Sequence, residues 1–385
     1  MASATRKTAL VIGADPPSLV RFRMPLLREM QARGYQVHCA GAGPAPEVAL
    51  ALKAEGIQYH PIPLERTGTN PIADLKTLWF LRALCAQTRP DVLFAYNVKP
   101  VLYGLIAGFF ARVPRRTAMI AGLGYAFTAD RSRSKRWSRR RFLGAFARFA
   151  YRRCIRLSHC IIFQNPDDRE TFRELGLLRA ARSVALVNGS GVDIGQFAQA
   201  EWPSAPQKIL LAARLLADKG IREYVEAARI IKSRRPDVVF RLAGPFDPNP
   251  TAISKPELEG WVSSDLIEYL GDLEDVRPAM RDAHVYVLPS YREGTPRTVL
   301  EAMATGRPVV TTDVPGCRQT TQDGVTGFLV PPYDAKTLAE RIWTLLDDAP
   351  RAKAMGEAGR RRVESTFESR AVARATLDAF DGSSV

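Results

Sequence analysis

YVLPSYREGTPRTVLEAMATGRPVVTT, residues 286–312, is the stretch whose reading decides the fold. The short β-branched run from Val285 to Leu288, closed by Pro289, has the length and composition of a buried strand. A polar turn, Ser290 to Gly294, follows and carries Glu293. Thr295 stands where an N-cap belongs and Pro296 where a first helical residue belongs, because proline gives up an N–H that has no acceptor there. The expected helix ends at Gly306, with Pro308 just beyond it. The amides of Arg297, Thr298 and Val299 open that helix and form an anion site by geometry and dipole. Glu293 in the loop and Glu301 two turns into the helix bracket a phosphate-sized position. Carboxylates beside an anion make sense when they hold hydroxyls on either side of it, which is the shape of a nucleotide-sugar site.

Outward from this stretch, strands and helices alternate. Toward the N-terminus the strands are expected at 8–13, 35–40, 57–62, 91–96, 116–122, 159–163 and 183–187. A stretch rich in Gly, Pro and Ser (188–207) reads as a linker, after which strands recur at 208–213, 238–244, 267–270, 284–289, 308–312 and 327–332. Such alternation predicts parallel sheets covered on both faces, in two α/β Rossmann-like domains spanning 1–190 and 191–365. A cleft at the carboxyl ends of the two sheets is where such folds take ligands, and Gly189 and Gly191 are placed to absorb hinge motion, although a plain loop accounts for those glycines equally well. No G-x-G-x-x-G followed by an acid about twenty residues later occurs, which weakens a dinucleotide reading.

Composition narrows the function classes. The chain has 385 residues and a formal net charge of +15, which calls for a polyanionic neighbour. Five cysteines without C-x-x-C spacing argue for a reducing compartment, and four scattered histidines argue against a metal cluster. The longest apolar run, 101–111, falls short of the roughly 18–20 residues that span a bilayer, and the N-terminus lacks a signal-peptide pattern. The expected location is cytoplasmic. No cofactor or metal is expected.

The runs EGTPRTVLEAMATGRPVVTTDVPG (293–316) and DGVTGFLVPPYDAKTLAERI (323–342), with AARLLADKG (212–220), NGSGVD (188–193), GPFDPN (244–249) and YLGDLEDV (269–276), resemble the retaining, sucrose-synthase-like family 4 glycosyltransferases of the GT-B fold. The E-x7-E pair Glu293/Glu301 is that family's signature. The resemblance implies that Arg214 and Lys219 neutralise the donor diphosphate, whose charge grows as it leaves. It implies that Glu301 accepts bonds from ribose hydroxyls, that Glu293 contacts sugar hydroxyls, and that the Arg297–Val299 amides meet the distal phosphate. Leu273 then stands beside the base, and Gly13, after the first strand, joins the donor-binding positions. No D-x-D occurs, in keeping with Arg and Lys holding phosphate in place of a metal. The family's usual pattern also returns the C-terminal helix, 366–385, to the first domain. Two departures stand out: Gln319 replaces a frequent glutamate, and AGLGYAF (121–127) lacks the His-Asp of many members.

SLVRFRMPLL (18–27), YNVKPVLYG (96–104) and GLGYAFT (122–128) resemble a branch that builds bacterial surface polysaccharide or lipid-linked oligosaccharide. That branch moves a hexose or N-acetylhexosamine from a UDP-sugar to a polyprenyl-diphosphate-linked saccharide, here with Asn97, Lys99, Gly124 and Tyr125 as acceptor candidates. For Lys99 a plain helix-start lysine is an equal reading. Independently of the resemblance, 131–156 is crowded with arginines (Arg136, Arg139 and Arg140 among them), holds no acid, and repeats Phe142, Phe146 and Phe149 on one helical face. A cationic amphipathic helix of this kind suits an anionic membrane surface, on the inner face of the cytoplasmic membrane; the same phenylalanines also fit a core. Nucleic acid is disfavoured because no recognition motif accompanies the charge. The alternatives are a nucleotide-sugar isomerase of the UDP-N-acetylglucosamine 2-epimerase type and a GDP-mannose-dependent transferase acting on a phospholipid.

Overall fold

The computed structural model describes residues 7–65, 70–122, 149–249 and 251–381. Two compact units emerge: one runs to Ser190 and resumes at Arg370, and the other is Gly191–Ser369.

The first unit holds β1 (Thr8–Ile12), β2 (Gln36–Ala42), β3 (Gln58–Ile62), β4 (Val92–Tyr96), β5 (Arg115–Ile120), β6 (Cys160–Phe163) and β7 (Val184–Leu186) in one parallel sheet, ordered β3-β2-β1-β4-β5-β6-β7. The strand period of two sends Ala9 and Val11 into one apolar layer and Leu10 and Ile12 into the other, so each face needs its own helices. The helix Ser369–Asp381 belongs here: Ala373, Leu377 and Phe380 enter the core, Phe380 lies 5.2 Å from Phe94 between ring centroids, and Asp378 takes Arg33 at 2.8 Å.

The second unit repeats the plan. β8 (Lys208–Ala212), β9 (Val239–Ala243), β10 (Glu268–Tyr269), β11 (Val285–Leu288), β12 (Val309–Thr312) and β13 (Gly327–Val330) form a parallel sheet ordered β10-β9-β8-β11-β12-β13. In both sheets the order reverses beside the first strand, between β1 and β4 and between β8 and β11. At such a switch point successive helices depart to opposite faces and leave a crevice at the carboxyl edge.

The segment expected to be a linker to 207 is shorter than that. Val192 N–H donates to Phe367 O at 2.9 Å and Ser369 N–H to Val192 O at 3.0 Å, so the two chain crossings run side by side. From Val192 onward the stretch is part of the second unit, with Val192 and Phe197 in its core. Trp202 lies against the guanidinium of Arg307, 1% exposed, which donates to the carbonyls of Glu201, Arg281 and Met280. Gly and Pro richness marked irregular backbone correctly; the bond from buried Arg307 to the Glu201 carbonyl then ties that backbone to residues 280–281.

All five cysteines are free and buried. Among the described residues no cluster of His, Cys, Asp and Glu is suited to a metal ion, and no helix is long and apolar enough to cross a membrane.

Burial lowers the ring pKa of His38, His60, His159 and His284 below the ordinary value, with neighbouring positive charge adding to it for His159 and His284 and the paired His38 for His60. His38 and His60 also share one hydrogen bond, Nδ1 to Nε2 at 3.0 Å, which a doubly protonated pair loses. The unfolded chain binds protons below about 6.5 that the folded chain refuses, so stability falls as pH drops through that value. Melting temperature is expected to decline between about pH 7.5 and pH 5.5, and a His38→Leu/His60→Leu variant to show a shallower decline when scanned the same way.

Candidate functional site at the switch point of the second sheet

The site is built from loops that leave the carboxyl edge of β8, β9, β11 and β12. After β8 the chain makes a short 3-10 turn, Ala217–Lys219, and enters the helix Ile221–Lys232 through Gly220 at φ +72°. That glycine lies against the end of β11, where an added Cβ would sit 2.1 Å from Pro289 O. Tyr291 N–H donates to Asp218 O at 2.9 Å and completes the abutment. The β8 turn and the β11 loop are thereby fixed together by backbone, and the consequence is a side-chain pair: Lys219 Nζ meets Glu293 Oε1 in a short ion pair.

Glu293 is held from three directions. Ser290 Oγ donates to the same Oε1 at 2.7 Å, and Glu293 N–H donates to Pro315 O at 3.0 Å. Gly316 (φ +87°) backs it so closely that a Cβ would fall 2.4 Å from Glu293 O. Beneath the loop, Thr311 Oγ1 donates to Leu288 O at 2.6 Å and Thr312 Oγ1 to Ser290 O, pinning β12 to the end of β11. Burial pushes the Cys317 thiol up to about 12, with the Glu293 carboxylate adding to it, so this cysteine is an uncharged packing group.

The following helix spans Arg297–Ala304 and its N-cap is Pro296, not Thr295. The expected start is therefore one residue early. Pro296 has ψ 108°, an extended value, and its carbonyl accepts the first helical bond from Leu300 N–H at 3.3 Å. The amides of Arg297, Thr298 and Val299 still precede that bond and lie at the positive end of the helix. The far end follows the expectation: Gly306 is left-handed at φ +81°, with Gly306 N–H on Met303 O and Arg307 N–H on Ala302 O, a Schellman closure. Glu301 is buried, and its Oε1 accepts from Arg297 Nε at 2.8 Å. Val299 is core, and Thr298 bonds the buried Tyr286 hydroxyl, whose pKa burial raises.

Arg214 follows β8, where Gly244 (φ +142°) lets the β9 end close to 1.8 Å, measured from a hypothetical Cβ to Ala213 O. Its Nη1 reaches Asp247 Oδ2 at 2.7 Å, with the Arg214 side chain half exposed and the Asp247 side chain 14% exposed. Leu273, beyond β10, is half-buried against the apolar core of the second unit. The arrangement offers cations, helix-start amides and two fixed carboxylates along one sheet edge, which is what a polyhydroxylated phosphate ester requires.

Two family models match the chain. One, described as glycosyl transferases group 1, spans residues 206–348, and the other, a glycosyl transferase 4-like domain, spans 20–189. The chain belongs to the family-4-like glycosyltransferases of the GT-B fold. The Campylobacter jejuni N,N'-diacetylbacillosaminyl-diphospho-undecaprenol alpha-1,3-N-acetylgalactosaminyltransferase is 28% identical over 348 residues, covering 86% of this chain and 87% of that protein. A capsular polysaccharide biosynthesis glycosyltransferase of Staphylococcus aureus is 26% identical, covering 81% and 82%. Sucrose-phosphate synthase from Thermosynechococcus elongatus shares the fold, with a TM-score of 0.78 at 21% identity over 98% of this chain and 99% of that one.

The remaining sequence-derived positions of this glycosyltransferase divide by unit. Gly13 and Asn97 stand at the first sheet's own switch point, after β1 and β4. A Cβ on Gly13 would lie 2.3 Å from the Tyr96 hydroxyl, so the glycine makes room for a tyrosine that also bonds Ser18 Oγ at 2.8 Å. Asn97 has φ +70° and ψ 155°, a region that non-glycine residues rarely adopt, and its Oδ1 accepts from Ala14 N–H at 3.3 Å. Lys99 is drawn to Asp74 at 2.9 Å. Gly124, Tyr125, Arg136, Arg139, Arg140, Phe142 and Phe146 lie outside the described residues. Sequence reasoning missed Ser290, Asp247 and the Arg297 side chain. The four-residue spacing of Arg297 and Glu301 was a visible signal for the last; nothing local pointed Arg214 toward Asp247, whose strands are neighbours only in the sheet.

Lys219→Ala is expected to lower turnover by on the order of 10²–10³ while costing about 1–2 kcal/mol of stability. Gly220→Ala should lose both together, because its Cβ forces the β8 turn off Pro289. Steady-state rates paired with thermal melts of the two variants check the contrast. A Lys219→Ala enzyme with normal turnover removes the lysine from the reaction.

Proposed function

We propose that this glycosyltransferase acts in bacterial polysaccharide or glycan assembly, moving a hexose or N-acetylhexosamine from a UDP-sugar to a polyprenyl-diphosphate-linked saccharide. The observation that carries the donor half is the Lys219–Glu293 pair fixed at the switch point beside the Arg297 helix start. The acceptor half is supported by the Campylobacter relative, whose name specifies an undecaprenol-diphosphate-linked sugar, and by the polysaccharide role in the name of the Staphylococcus relative. A UDP donor is supported by the Anabaena protein HepE, solved with UDP, at a TM-score of 0.74 and 16% identity over 98% of this chain and all of that one.

On this reading the diphosphate lies over the helix-start amides, with Lys219 beside it and Arg214 exchanging Asp247 for a phosphate oxygen. An acceptor hydroxyl forms its bond to the anomeric carbon as the bond from that carbon to the diphosphate oxygen breaks. The departing oxygen takes the hydroxyl proton, and attack from the same face retains configuration. Charge accumulates on the diphosphate, and Lys219, Arg214 and the oriented amides stabilise it without reorganising. Glu293, oriented by Ser290 and Lys219, holds sugar hydroxyls, and Glu301 holds the ribose.

Incubation with radiolabelled UDP- and GDP-sugars, with and without polyprenyl-diphosphate-linked acceptor, tests the assignment. Label should enter the lipid phase only with acceptor and only from a UDP-sugar. Conversion of the donor into an isomer without acceptor, or transfer from GDP-mannose to a phospholipid, refutes it.

A further inference from the structure

The helix Pro71–Thr88 connects β3 to β4 and buries Leu81, Leu84 and Cys85 in the first unit's core. Its outer face is apolar as well. Ile72, Leu75 and Trp79, at i, i+3 and i+7, are 80%, 67% and 69% exposed, and exposed Ala83 and Ala86 prolong the same stripe. A helix with apolar side chains on two opposite faces normally has both of them covered, and this one has a covered face and an uncovered one. Lys76 and Arg82, both exposed, flank the stripe. The one acid in the helix, Asp74, is turned to Lys99 and away from the stripe's charge balance. Because the helix starts after β3, Ile72 and Leu75 stand at the carboxyl edge of the sheet, the edge that carries Gly13 and Asn97.

We propose that this stripe docks the enzyme on an anionic lipid bilayer, with Ile72, Leu75 and Trp79 entering the headgroup–acyl boundary and Lys76 and Arg82 meeting lipid phosphates. An exposed apolar helical stripe with tryptophan at its centre and cations on its flanks has the chemistry of an interfacial helix. The chain's charge of +15 favours an anionic surface over a neutral one. The role of the stripe rests on the lipid-linked acceptor reading, because a substrate held in a bilayer is reached from its surface; its location rests on the exposed side chains.

Flotation of the full chain with vesicles of phosphatidylglycerol and phosphatidylethanolamine, against phosphatidylcholine alone, tests this. The wild type should float with the anionic vesicles. The Leu75→Ser/Trp79→Ser variant should partition roughly tenfold more weakly, and Lys76→Glu/Arg82→Glu should lose binding most strongly at low salt. Unchanged melting and unchanged UDP binding certify that both variants are folded. Flotation of the serine variant at the wild-type level overturns the inference and assigns membrane binding elsewhere, the arginine-rich 131–148 segment included. A change from dimer to monomer in the serine variant also overturns it, making the stripe a contact between copies. Stripe-dependent flotation without transfer to any polyprenyl acceptor leaves this inference standing and removes the functional reading. Transfer to such an acceptor with stripe-independent flotation does the reverse.

Discussion

The second unit depends on one close approach: the backbone of Gly220 lies on the carbonyl of Pro289, with no room for a side chain between them. Parallel strands that neighbour each other at a switch point send their helices to opposite faces, so their loops diverge. A crevice results, but a crevice alone positions nothing. Here the β8 turn is drawn back onto the β11 loop, and the cation at its end reaches the carboxylate at the other loop's tip. Gly316 repeats the device on the far side of Glu293, and Gly244 repeats it under Arg214. The charged groups are thus carried by backbone contacts and not by long flexible reaches, which is what electrostatic preorganisation requires.

The first sheet has the same strand order and uses its switch point differently. Its carboxyl edge holds a tyrosine hydroxyl over a glycine, a serine bonded to that hydroxyl, the Arg23 guanidinium 4.6 Å from the same ring, and an asparagine in strained geometry. Burial raises the Tyr96 pKa despite Arg23, so the hydroxyl remains a neutral donor and acceptor. Strain at Asn97 persists because its carboxamide ties the β1 loop to the end of β4. One topology therefore carries two chemistries: an ion pair that joins the β8 and β11 loops in one unit, and in the other a tyrosine–serine hydrogen bond beside a guanidinium and the Lys99–Asp74 pair.

The sequence was most legible where periodicity and punctuation agree. Every expected strand is present within a residue or two of its expected ends; the signal is strongest in central strands such as β1, β4 and β11, where burial on both faces leaves an uninterrupted apolar run. The closure of the Arg297 helix at Gly306 was equally legible, since glycine is the residue that adopts φ +81° without cost. Its start was less so. Thr295 has the chemistry of a cap, but Pro296 takes the position, and a proline's fixed φ suits either side of the boundary. The 188–207 segment misled for a related reason: Gly and Pro announce irregular backbone and say nothing of whether Arg307 and Phe367 will hold it in a core.

By itself the sequence determined the α/β class, the repetition of the plan, and the adjacency of Glu293 to the start of the Arg297 helix, because these follow from local periodicity and from a motif contained in one loop and one helix. The tertiary structure alone decided the pairings. Lys219 and Glu293 are 74 positions apart and Arg214 and Asp247 are 33. What joins them is strand order in a sheet, and strand order is set by packing between distant segments, which no local pattern records.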